Sequence, residues 1–261
     1  MRIDQLLVAL GMVSSRQRAK ELITGGQVYA DGRQILKSSW IVPQGIQPEI
    51  RGQTLGYPSR AGLKLATALQ FFRINVENLV ALDVGASTGG FTSCLLQNGA
   101  KKVFAVDVGQ DQLVPELRED TRVVSLEKTN IRDLSSEHLG ELVDIATIDV
   151  SFISLKLVFP PVRELLKQQG EIVALVKPQF ETGGRGLNKH GVISDPCVHR
   201  EFIPPLIAEL QKKGCGLRGF HSSPLTGAKG NLEYLAHFQL GHPIQDATQL
   251  VLEVIEAAWR D

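Results

Sequence analysis

The chain has 261 residues, with 28 Lys and Arg balanced by 28 Asp and Glu, and 43% hydrophobic and 21% charged residues. That is the profile of a soluble globular protein, long enough for one large domain and one small one. No apolar run approaches the roughly 18 residues needed to cross a bilayer. The start Met1-Arg2-Ile3-Asp4 has no leader pattern, and Cys94, Cys197 and Cys215 suit neither a disulfide framework nor zinc. We therefore expect a cytoplasmic, metal-free protein, monomeric or homodimeric.

The first segment reads helix, helix, hairpin. Ile3, Leu6, Leu7 and Leu10 form an apolar face with helical spacing, and Gly11 ends it. Ser14 and Ser15 are candidates to cap a second helix, with Ala19, Leu22 and Ile23 inward and Gly25-Gly26 as its stop. Gln27 to Tyr29 reads as a short strand, and Asp31-Gly32 as a two-residue hairpin turn. Residues 1–58 hold seven Lys/Arg against four acids, a surplus of three positive charges, so the remainder carries three negative. A small basic module on a mildly acidic body suits an RNA enzyme and also arises by chance.

Residues 41–58, rich in Pro and Gly, read as a strand or two and then a linker. A helix with Leu65, Leu69 and Phe72 inward comes next. Strands are expected near Leu79–Val84, Lys102–Asp107, Arg122–Leu126, Asp144–Asp149 and Glu171–Lys177, with helices between them including Phe91–Asn98 and Leu155–Gln168. A helix over His199–Lys213 and strands over Leu217–Ser222 and Glu233–Leu240 complete the pattern. Apolar strands alternating with helices predict a mostly parallel, seven-stranded sheet covered on both faces.

The most informative stretch is Asp83-Val84-Gly85-Ala86-Ser87-Thr88-Gly89-Gly90-Phe91, where the first of these strands turns into a helix. Glycines there let the backbone approach a ligand at the carboxyl end of the sheet. About 20 residues on, Asp107, followed by Val108, ends the second strand with a carboxylate suited to ribose hydroxyls. The spacing is not that of a dinucleotide fold, and the acid at Asp83 would repel a pyrophosphate. It favours a ligand with a cationic amine and sulfonium, such as S-adenosylmethionine, over a nicotinamide dinucleotide. Asn130 is a candidate for the adenine; a plain turn residue is the alternative.

Asp149, Lys177 and Glu233 stand at strand ends that converge on one face, and Lys64 opens the helix before the sheet. A lysine after Ala-Leu-Val is costly to desolvate without an anionic partner. A lysine general base acting on a weak ribose hydroxyl would need its pKa lowered from about 10.4. Each residue also has a bland alternative: Asp149 as a helix N-cap, Lys177 as a solvated strand end, Glu233 as a surface strand residue, Lys64 as an exposed helix lysine.

Along these motifs the chain resembles the TlyA family of bacterial rRNA 2′-O-methyltransferases, also named haemolysins. The resemblance covers essentially the whole chain. It is carried by Ser59-Arg60-Ala61-Gly62-Leu63-Lys64-Leu65, Gly85 to Thr92, Ala105 to Gly109, Asp149-Val150-Ser151-Phe152-Ile153-Ser154-Leu155, Val176-Lys177-Pro178-Gln179-Phe180-Glu181 and Ser223 to Tyr234. The resemblance implies an α/β fold, a Rossmann-like class I methyltransferase over residues 59–261 behind a small α+β S4-like RNA-binding domain and linker over 1–58. It implies a Lys64, Asp149, Lys177, Glu233 tetrad. S-adenosylmethionine would lie on Asp83, Gly85, Ser87, Thr88, Gly89, Gly90, Phe91, Asp107, Val108, Asn130 and Asp149. The implied substrate is a cytidine of ribosomal RNA or of a ribosomal subunit. Ala61, Pro58 and Gln110-Asp111-Gln112-Leu113 depart from the family pattern.

Arg2, Arg16, Arg18 and Lys20 are candidates for a phosphate-binding stripe, with Arg60 a further RNA contact. A solvated helix face is the alternative. The loop Thr182 to Gly191 is glycine-rich and basic; closure over RNA and simple mobility both fit it. Trp40 and Trp259 are expected in the core. Two rival functions stay in view: a non-catalytic RNA-binding ribosome factor, and a membrane-active haemolysin.

Overall fold

In the hairpin turn Asp31 and Gly32 both take positive φ, 50° and 72°, the geometry that matches a two-residue loop to the twist of its strands. The structure, a computed structural model, describes residues 1–13, 16–24, 26–43, 45–50, 56–227 and 229–260, without the side chains of residues 17, 18 and 21. The chain divides into two compact units, Met1–Ser59 and Arg60–Asp261.

The first unit comprises α1 (Ile3–Ala9), α2 (Arg16–Thr24), β1 (Val28–Ala30), β2 (Arg33–Gln34) and β3 (Pro48–Ile50). The strands make an antiparallel sheet in the order β2-β1-β3. Ile3, Leu7, Ala19, Leu22, Ile23, Val28, Ala30 and Ile35 form its core, with Trp40 packed against it. One expectation changes here. Leu10 is 54% exposed, because α1 closes at Ala9 and Leu10 leaves the apolar stripe. An acid in the first turn of the same helix, Asp4, is fully buried. The Ser14, Ser15 cap and the Gly25 stop lie outside the described residues.

The second unit starts with α3 (Ala61–Phe72) and continues β4 (Val80–Val84), α4 (Gly90–Gln97), β5 (Lys102–Val106), α5 (Pro115–Arg118), β6 (Val123–Leu126), a 3-10 turn (Ile131–Asp133) and α6 (Ser136–Leu139). Then come β7 (Val143–Ile148), α7 (Leu155–Glu164), β8 (Leu166–Val176), α8 (Pro178–Glu181), α9 (Pro196–Gln211), β9 (Cys215–Ser222), β10 (Tyr234–Leu240) and α10 (Thr248–Ala258). Seven strands lie in the order β6-β5-β4-β7-β8-β10-β9. β10 runs antiparallel to β8 and β9, and the pairs among β4 to β8 are parallel. The mostly parallel seven-stranded sheet is as expected. β4 is buried along its whole length, as a strand covered on both faces must be. The order reverses around β4, so the cleft at the carboxyl tips of β4 and β7 is where a ligand belongs in such sheets.

Some boundaries move. The helix expected over Leu155–Gln168 stops at Glu164, because Leu166 pairs with Val143 in the sheet. Lys167, Gln168 and Gln169 favour helix locally, and the strand pairing overrides them. Phe72, expected inward, is half-buried and lies beside His237. Trp259 is half-buried against the core.

Candidate active site

The sheet brings four strand-tip segments together. Asp149 follows β7 and donates its N–H to the Val84 carbonyl at 2.9 Å, so it sits beside the glycine turn after β4. Gly85 has φ +86, and a Cβ there would run into the Asp149 carbonyl; the approach of the two segments requires glycine. Tyr234 pairs with Val176. Glu233 and Lys177, one residue beyond, therefore leave the sheet at the same tip.

At that tip two lysines are buried, Lys64 and Lys177, each 9% exposed. Lys177 Nζ lies 2.6 Å from Asp149 Oδ1 and donates to Ser151 Oγ at 3.1 Å. Lys64, in the first turn of α3, donates to Glu233 Oε2 at 2.5 Å, and Glu233 is 3% exposed. A Cβ at Gly227 would collide with the Glu233 carboxylate, so the backbone at Gly227 lies tightly against it. The bland alternatives do not describe these residues. The N-cap of α7 is Ser154, not Asp149, and the other three are inside. Each ammonium has its carboxylate, as burial demands.

The remaining site residues sort by how much of each is available. Asp83 is fully buried, accepting from Thr92 Oγ1 at 2.7 Å and Thr147 Oγ1 at 3.1 Å. Burial pushes its carboxyl up to about 7 against the pull of those two hydroxyls, and the Asp149 charge adds to the rise. Asp107 is half-buried; Ser87 N–H donates to its Oδ2 at 2.8 Å and Gly109 N–H to its Oδ1 at 2.7 Å. Val108 beside it is 72% exposed. Gly89 is the N-cap of α4, Gly90 its first residue, and Phe91 is buried. Asn130 Oδ1 caps the 3-10 turn by accepting from Arg132 N–H at 3.1 Å, which is the plain turn role, made by the oxygen alone. In the divergent Gln110–Leu113 turn, the N–H groups of Asp111, Gln112 and Leu113 all donate to the Glu127 carboxylate. Three acids at the tips and an exposed valine fit a cationic, phosphate-free nucleoside better than a dinucleotide.

Sequence reading missed several residues. Phe152 has φ +64 and is 89% exposed, with its ring 4.9 Å from that of Phe180. An exposed large aromatic in the left-handed region is the signal, but only coordinates reveal the φ. Asn231, by contrast buried, accepts from Ile193 N–H at 2.9 Å and donates to the Gly191 carbonyl at 2.9 Å. It ties the 182–193 loop to the segment that carries Glu233. In that loop Arg185 pairs with Glu201 at 3.0 Å.

In the first unit, Arg2 and Arg16 converge on one acid. Arg2 Nε donates to Asp4 Oδ1 at 3.0 Å and Arg16 Nη2 to Asp4 Oδ2 at 3.1 Å. Burial raises the Asp4 carboxyl, but the two guanidiniums outweigh it and hold it below the usual range. Both arginines keep an exposed face, and Lys20 is exposed. The Arg18 side chain lies outside the described residues. Arg60 is the exposed N-cap residue of α3, in the second unit.

Among the described residues no helix is long and apolar enough to cross a membrane, and no group of three or more His, Cys, Asp or Glu could hold a metal ion. The profile of the FtsJ-like methyltransferase family matches residues 57–240, and that of the S4 domain matches residues 1–45. The chain is 42% identical to the Mycobacterium tuberculosis 16S/23S rRNA (cytidine-2′-O)-methyltransferase TlyA over 89% of this chain and 87% of that one. It is 41% identical to Hemolysin A of Brachyspira hyodysenteriae over 91% and 99%. A solved structure from Streptococcus thermophilus, provisionally described as a hemolysin, superposes with a TM-score of 0.81 at 39% identity, covering 100% of this chain and 96% of that one.

Proposed function

The chain belongs to the TlyA family of FtsJ-like methyltransferases with an N-terminal S4 domain, and we propose on that premise that it methylates the 2′-hydroxyl of a cytidine in ribosomal RNA. The observation that carries the reading is the double pairing, Lys177 with Asp149 and Lys64 with Glu233, buried at one sheet tip. A non-catalytic RNA-binding factor has no use for two desolvated ion pairs beside an open glycine turn, and they are costly to keep.

The methyl donor in this reading is S-adenosylmethionine, which supplies an electrophilic methyl group on a positively charged sulfur. Asp107 would hold ribose hydroxyls, Val108 would offer an apolar surface to the adenine, and Asn130 would use its amide N–H there. The Asp83 carboxyl, beneath the turn formed by Gly85, Ser87, Thr88, Gly89 and Gly90, would favour a cation above it. Lys177 Nζ, once it has given up its own proton and stands as the neutral amine, takes the proton of the ribose hydroxyl as general base. Asp149 and Ser151 fix its direction. Lys64, fixed by Glu233, adds positive charge where negative charge grows on the ribose oxygen. Alignment of the groups supplies much of the rate. Phe152 and Phe180 offer an aromatic face to a splayed-out base, the usual way a single nucleotide is held for chemistry.

The S4-like unit would grip the phosphate backbone through Arg2, Arg16, Arg18 and Lys20, with Arg60 adding a contact from the catalytic unit. The domain assignment is residues 1–58 for RNA and 59–261 for chemistry, at work in the cytoplasm. The test is incubation of the purified protein with labelled S-adenosylmethionine and ribosomal subunits from cells lacking it, followed by mapping of ribose methylation. Label in a 2′-O-methylcytidine is the expected result. Subunits and free rRNA that stay unlabelled would refute the reading.

A further inference from the structure

The segment 149–155 is pinned at both ends to one short stretch of chain. At its start, Lys177 Nζ holds Asp149 Oδ1 at 2.6 Å and Ser151 Oγ at 3.1 Å. At its end, Ser154 Oγ donates to Glu181 Oε2 at 2.6 Å, and Leu155 N–H donates to Glu181 Oε1 at 2.9 Å. Glu181 closes α8, the single turn that follows Lys177. Its carboxylate thereby caps the first turn of α7, satisfying a free N–H and meeting the positive helix end. Burial pushes this carboxyl up, opposed by the same two hydrogen bonds.

Between the pins stands Phe152. A bulky residue at φ +64 is strained and persists only where its surroundings over-determine it. Its ring gains little from folding, since it is 89% exposed. The pins bracket the strained turn, whose flanking Val150 and Ile153 pack against the core, and Glu181 accepts both hydrogen bonds of the far pin.

We propose that Glu181 is a positioning residue: it clamps the Ser151–Ser154 arch onto the Lys177 segment and so holds Phe152 upright as the seat for the substrate base. This rests on the reading of the site as an RNA methyl-transfer centre and deepens it. Glu181 touches neither substrate nor cofactor, and it acts through Phe152.

The test is a double-mutant cycle on the full chain, with kcat and KM for rRNA and calorimetric affinity for S-adenosylmethionine. Glu181→Ala is expected to lower kcat/KM for rRNA by about 10-fold or more, the scale of one lost base–aromatic stack, with cofactor affinity within about twofold. Glu181→Gln should restore most of it, because an amide can accept from Leu155 N–H and still donate to Ser154 Oγ. In a Phe152→Ala background, Glu181→Ala should add less than about twofold, since residues acting as one unit are not additive. Wild-type kcat/KM for Glu181→Ala, or losses that multiply in the double variant, would overturn the proposal. Should Glu181→Ala fail to fold, Ser154→Ala breaks the 2.6 Å contact together with the Ser154 Oγ cap on Lys156 N–H, leaves Leu155 N–H on Glu181, and enters the same cycle with the same criteria. Full activity in Phe152→Ala is a different failure: it removes the base seat, and the proposal with it. Residual full activity in Lys177→Ala would instead sink the methyl-transfer reading of the site.

Discussion

Thr92 Oγ1 donates to Asp83 Oδ2 at 2.7 Å, tying the first turn of α4 to the tip of β4 beneath the glycine turn. The acid under that turn is fully buried and is pushed up to about 7 by burial, with the Thr92 and Thr147 hydroxyls offsetting part of the rise. Its folded value lies above its ordinary 3.8. Its contribution to stability is therefore full below about 3.8 and is lost as the pH rises through about 7. In Asp83→Asn the thermal midpoint should gain on the wild type between pH 5 and pH 8. A cation bound above Asp83 favours the ionised form, so affinity for S-adenosylmethionine should tighten over the same window in the wild type and stay flat in Asp83→Asn. Calorimetry across pH decides it: a flat wild-type profile separates Asp83 from the cofactor.

Lys177→Ala should reduce methyl transfer by about 100-fold or more, the usual scale for loss of a general base. Cofactor affinity should stay within a few fold, because the ammonium's ion-pair partner, Asp149, is one of several residues that would hold the cofactor. Single-turnover transfer to rRNA measures the first and calorimetry the second. Near-normal turnover would remove Lys177 from the base role.

Arg16 and Lys20 share a helix face but differ in partners. Arg16→Glu sets a carboxylate beside buried Asp4, so it should weaken rRNA binding and also lower the thermal midpoint of the protein. Lys20→Glu should weaken rRNA binding and reduce its salt dependence while leaving the thermal midpoint unchanged. Filter binding across salt concentrations, with thermal melts alongside, separates the two. Unaltered RNA affinity in both variants would take this face out of RNA contact.

Asn231→Ala removes both hydrogen bonds that tie residues 191 and 193 to the segment before Glu233. Tryptic cleavage after Lys189 should accelerate by several fold, and kcat should fall more than cofactor affinity. Cleavage at the wild-type rate would show that other contacts hold the loop.

Much of the fold was legible along the chain because its signals are local. Apolar runs, the Asp31-Gly32 turn and the glycines after Asp83 each act over a few residues. The site types were legible too: acids and lysines directly after apolar strands mark tips where charge needs a partner. Partner identity was not. Lys64 and Glu233 are 169 residues apart, and they meet because β10 inserts antiparallel beside β8. The role of Asp4 depends on Arg16 arriving from α2 to join the neighbouring Arg2, and that of Glu181 on α8 folding back over the start of α7. Phe152 stands out only once its backbone angle is seen. Helix and strand formation responds to neighbours in sequence, whereas a desolvated charge is satisfied by whatever the packing brings within about 3 Å, and that is settled only when the whole sheet closes.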